Sequence, residues 1–85
     1  WPVAFAEFSG NTVKVWQASV SETPVPQPAG EIVSADKMGI TIATGKGTIT
    51  ITNLQPQGKK AMSAADFING RADWVTVGSN LLEQA

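Results

Sequence analysis

The chain has 85 residues, 42% of them hydrophobic and 15% charged, and a formal net charge of −1. That composition suits one small folded domain rather than a disordered segment. There is no His and no Cys, which excludes disulfides, Cys/His zinc sites, a His general base and a Cys nucleophile within these residues. The apolar runs are too short to span a bilayer, and no signal-peptide pattern is present. A start at Trp1-Pro2 reads like a piece cut from a longer protein. With six Lys/Arg against seven Asp/Glu, nothing attracts nucleic acid globally. Any electrostatic function must rest on a local patch.

The elements follow in chain order. Val3 to Phe8 predicts a first strand, Ser9-Gly10-Asn11 a turn, and Thr12 to Val20 a second strand. In the second strand Val13 and Val15 share one face, while Trp16, Ala18 and Val20 share the other. That change of phase predicts a bulge or a bend from one sheet into the next. Thr23 to Gly30 holds three prolines in five residues, which cannot feed a sheet ladder, and predicts a stiff surface loop. Glu31 to Ala35 predicts a third strand, ending in a turn over Ser34 to Gly39. Ile40 to Thr44 and Thr48 to Thr52 alternate strictly around Gly45-Lys46-Gly47, the pattern of a hairpin with one wet and one dry face. Asn53-Leu54 shows a phase slip like that near Trp16.

Further on, Ser63 is a good helix N-cap, with Asp66 placed as an Asp variant of the capping box and Met62 and Phe67 placed as a hydrophobic staple. The helix is expected from Ser63 to about Asn69, with Gly70 at C′. Val75 to Leu82 suggests a short closing strand, with Leu81 and Leu82 capping the core. Five or six short strands and one short helix predict a mainly β fold, an open Greek-key, OB-like barrel, as one domain over 1–85.

Few residues invite catalysis. A Ser or Thr nucleophile would have only Lys or a carboxylate as its base, and each acid has a plain structural role in a turn, a cap or a wet face. No two acids stand at EF-hand-like spacing. Gly45-Lys46 fails as a phosphate loop. Five residues, not four, separate Gly39 from Gly45, and Gly47 stands where Ser or Thr belongs. The aromatic residues mostly sit in apolar alternation, so a core role is expected for them, and any nucleic acid is expected to bind through its phosphates rather than through stacked bases. Lys59 and Lys60 are the more specific feature. They precede the helix N-cap, where two ammonium groups and the helix dipole would suit a phosphate. On spacing alone, two solvated loop lysines are the favoured explanation. Lys14, Lys46 and Arg71 would extend the patch if the fold brings them to one side.

The run Leu54-Gln55-Pro56-Gln57-Gly58-Lys59-Lys60-Ala61-Met62-Ser63-Ala64-Ala65-Asp66-Phe67-Ile68-Asn69-Gly70 resembles a segment near the C-terminus of bacterial methionyl-tRNA formyltransferases. Trp1-Pro2-Val3-Ala4, Val13-Lys14-Val15-Trp16-Gln17-Ala18 and Pro28-Ala29-Gly30-Glu31-Ile32 resemble other parts of the same C-terminal domain. The resemblance implies a cytoplasmic enzyme that moves a formyl group from 10-formyltetrahydrofolate to the amino group of methionyl-tRNA in the initiation of protein synthesis. Its chemistry would lie in an N-terminal catalytic domain absent from this chain. This domain would hold no catalytic residue, cofactor or metal, and would have no membrane partner. Its partners would be the catalytic domain and tRNA, held through sugar and phosphate. Lys59, Lys60 and Lys14 match basic positions of the family. Arg71-Ala72-Asp73-Trp74 and Gly78-Ser79-Asn80 depart from it, since arginines are common after the helix there, and this implies a weak grip by the domain alone. Two other readings stay open. One is the equivalent scaffold barrel of a relative that formylates a nucleotide sugar or handles formyl-folate. The other is an autonomous small barrel that binds a protein or saccharide.

Overall fold

The computed structural model describes residues 4–81. Expectations that fall on Trp1, Pro2, Val3 and Leu82 lie outside the described residues. Six strands form one antiparallel sheet: β1 (Ala4–Phe8), β2 (Asn11–Ser21), β3 (Ile32–Asp36), β4 (Gly39–Ala43), β5 (Thr48–Pro56) and β6 (Met62–Ser63). The helix α1 (Ala64–Arg71) runs on into a 3-10 turn, Ala72–Val75. The spatial order is β1-β2-β5-β4-β3, with β6 pairing β5. Strands β5, β4 and β3 are joined by hairpins, and β2 returns through the proline loop to lie beside β5. That is a Greek key. The sheet is open, with β1 and β3 at its two ends.

Local chemistry explains the turns. Ser9 and Gly10 both have positive φ, 52° and 81°, as the two-residue turn favoured by twisted hairpins requires. In the β4–β5 hairpin Thr44 Oγ1 accepts from the amides of Lys46 and Gly47. A Cβ on Gly47 would lie 2.0 Å from the Ser21 carbonyl oxygen, so no other residue fits there without moving β2.

Both phase slips are real and they face each other. Val15 pairs with Leu54 and Gln17 with Asn53, which leaves Trp16 without a partner position. Ala18 then pairs with Ile51, which leaves Thr52 without one. One extra residue on each strand restores the register and bends the pair.

The core lies on one face of the sheet and is closed by the helix. Phe8, Val13, Ile32, Ile40, Leu54 and Phe67 are fully buried. Ser63 caps α1, accepting from the Asp66 amide at 3.2 Å. Phe67 packs against Phe8 and Trp74, with centroids 6.0 and 5.8 Å away. Gly70 does not end the helix. Positive φ, which a C′ glycine needs, is absent there, and the chain continues so that Arg71 and Trp74 reach the Phe67 ring.

The closing strand also differs from expectation. Among the described residues the tail makes a single bridge, Glu31 to Asn80, with the Gly78 amide donating to the Ile32 carbonyl and the Ile32 amide to that of Ser79, both at 2.9 Å. Gly78 at φ 94° turns the chain out of an extended path. The sixth strand is instead β6, two residues long, between the lysine loop and the helix. No helix among the described residues is long and apolar enough to cross a membrane.

Candidate nucleic-acid interface

The candidate site grows from the far end of β5. Its last residues alternate across the sheet. Leu54 and Pro56 point into the protein and are buried, while Gln55 points out. Proline is tolerated here because β6 reaches only as far as Leu54, so no strand pairs with β5 on the side that the Pro56 nitrogen and carbonyl face. The chain then turns through Gln57 and Gly58, and the Lys59 amide donates to the Pro56 carbonyl at 3.1 Å.

Gln55 holds this turn to the sheet. Its Nε2 donates to the Lys59 carbonyl at 2.7 Å, and its Oε1 accepts from the Trp16 indole Nε1 at 2.8 Å. The Gln55 amide therefore bridges the β2 bulge and the lysine loop. Trp16 stands two residues after Lys14 on β2, so alternation brings it to the face on which Gln55 lies. Lys59 is thus tied by both of its backbone polar groups, while its side chain and that of Lys60 are exposed.

Lys14 joins this loop through register. It pairs with Gln55 on β5 and with Phe5 on β1, so all three share the outer face of the sheet. Its Nζ lies 5.9 Å from the centroid of the Trp16 ring. A cleft of about 370 Å³ opens between these strands and the loop, lined by Phe5, Thr12, Lys14 and Gln55 through Gly58.

The other two expected contacts lie elsewhere. Lys46 sits in the β4–β5 turn, at the opposite end of β5 from Lys59. Eight residue steps of strand, roughly 26 Å, separate those ends. Arg71 is half-buried in the last turn of α1. Its Cζ lies 5.6 Å from the Phe67 centroid and 5.5 Å from that of Trp74, and its Nη1 donates to Met62 Sδ at 3.8 Å. Register and the Gln55 bridge therefore set the backbone of the Lys59 turn next to the strand position of Lys14, whereas Lys46 lies at the far end of β5 and Arg71 packs on the core aromatics. The helix N-terminus is also a separate feature. Ala61 and β6 run between Lys60 and α1, and Ser63 lies opposite Asn53, about 10 Å back along β5 from Pro56. A helix dipole acts strongly only within about one turn.

Three residues of the site carried no clear signal in the sequence. Gln55 showed nothing of its role, because that role depends on cross-strand register. Phe5 and Trp16 were expected in the core, yet they are 64% and 48% exposed. Alternation shows that two faces differ, but not which face is covered.

A folate fits these residues poorly. A pterin ring needs an enclosed pocket with fixed polar partners, whereas no polar or charged side chain among the described residues is buried and the cleft is open to solvent. A family model described as "Formyl transferase, C-terminal domain" matches residues 1–72 of the chain.

Proposed function

The chain belongs to the formyl transferase C-terminal domain family, and from that premise we propose that it is the tRNA-positioning domain of a methionyl-tRNA formyltransferase. On this reading it carries no catalytic group itself. The formyl donor is held elsewhere in the parent enzyme, whose catalytic domain precedes this one and works in the cytoplasm. The observation that carries the reading is the Gln55 bridge. It fixes the Lys59 backbone at 2.7 Å from its own amide and sets the loop beside Lys14.

The physical role is electrostatic and geometric. An RNA phosphate gains from each ammonium group that replaces a counterion. Lysines suit this task as mobile point charges, which follow a backbone without reading its sequence. A loop held at both ends places those charges at a constant distance from the rest of the enzyme. The bound amine then meets the formyl donor with less orientational freedom to lose.

Steady-state formylation by the full-length enzyme tests this. Lys59→Ala with Lys60→Ala lowers kcat/KM for methionyl-tRNA and leaves the KM for the formyl donor unchanged. Unaltered kcat/KM for the tRNA overturns the reading.

A further inference from the structure

The outer face of the β1–β2–β5 corner holds more than charge. Lys14 has Phe5 as its cross-strand partner and the Trp16 ring 5.9 Å from its ammonium group, so one cation has two largely exposed aromatic neighbours. Large apolar rings left in water beside a cleft are informative, because burying them would have been favourable. Trp16 is not a loose side chain, since its indole N–H is committed to Gln55 at 2.8 Å. Phe5 lines the cleft itself, together with Lys14 and the Gln55–Gly58 wall.

We propose that this cleft takes an unpaired nucleotide, whose base stacks on the Phe5 ring while Lys14 meets its phosphate. The inference deepens the tRNA reading above and rests on it for the class of ligand. Every base offers a π-face to an aromatic ring, and a cation beside the ring supplies the charge that the nucleotide's phosphate needs. Among the outer-face charges, Glu7 lies two residues beyond Phe5, opposite Thr12, whereas Lys14 is the direct cross-strand partner of Phe5, so the phosphate is favoured at Lys14. The cleft volume of about 370 Å³ falls within the range of small-molecule sites. The site thus adds base stacking to a contact that the sequence suggested would be made through phosphate alone.

The test uses the full-length protein and two probes, a single-stranded oligoadenylate and a blunt RNA duplex of the same length. Phe5→Ala weakens binding of the single strand about tenfold, and Phe5→Trp restores it. The loss is a parallel offset at all salt concentrations, because a stacked ring releases no counterions. Binding of the duplex is unchanged. Lys59→Ala with Lys60→Ala instead flattens the salt dependence for both probes, which separates failure of the cleft from failure of the lysine loop. An oligoadenylate affinity unaltered by Phe5→Ala, or no oligoadenylate binding by the unmodified protein, overturns the proposal. Phe5 is 64% exposed, so its removal leaves the thermal unfolding midpoint in place, and a fall in that midpoint would overturn its assignment as a surface ring.

Discussion

Among the described residues a cation meets aromatic rings at two places, and the two are built differently. On the inner face Arg71 lies over Phe67 and Trp74, and Phe67 is fully buried against Phe8. On the outer face Lys14 stands beside Phe5 and Trp16, and both rings remain open to water. A planar guanidinium is weakly hydrated and stacks well, so arginine suits the packed cluster. A strongly hydrated ammonium on a flexible stem suits the open one. The inner cluster holds the helix to the sheet. The outer one leaves its charge and its apolar area available to a ligand.

That contrast can be broken, and the largest effect should come from the inner cluster. Phe67→Ala removes a fully buried ring and is expected to cost about 3–5 kcal/mol, read by urea or thermal unfolding. A shift of only a degree or two would mean that the helix does not depend on this contact. Next comes the pair of cations. Arg71→Ala is expected to lower stability by about 1–2 kcal/mol through lost ring contact and packing, and Lys14→Ala by less than about 0.5 kcal/mol. If Lys14→Ala proved the more damaging, the division between structural and available clusters would collapse. The most local effect sharpens the outer site. Gln55→Leu should change global stability by about 1 kcal/mol or less yet speed amide hydrogen exchange at Lys59, whose turn loses its tie to the sheet. Exchange as slow as in the unmodified protein would show that Pro56 and Gly58 hold the loop unaided.

Much of this was legible in the sequence where local chemistry decides the outcome. The Ser9-Gly10 turn, the Thr44–Gly47 hairpin and the Ser63 cap follow from residue types and short spacings. The paired bulges were visible as matched phase slips at Trp16 and after Ile51. Less legible was anything that depends on which strands become neighbours. Gln55 acquires its role from the register that sets it opposite Lys14 and near Trp16. Lys46 looked like a fifth contact until the length of β5 put it at the other end of the sheet. Gly70 carried a stop signal that the aromatic packing of Arg71 and Trp74 overrides. The exposed aromatics were the largest surprise, since an apolar alternation reads the same whether or not a second layer covers it.

The proposed function requires the Lys59-Lys60 loop, set beside Lys14, to grip tRNA phosphate. The most direct test is a salt titration of tRNA binding by the full-length enzyme, with and without Lys59→Ala and Lys60→Ala. The double variant is expected to bind more weakly at low salt and to flatten the plot of log K against log salt by about one unit per lost phosphate contact, about two in all. Unchanged affinity together with an unchanged slope would contradict it.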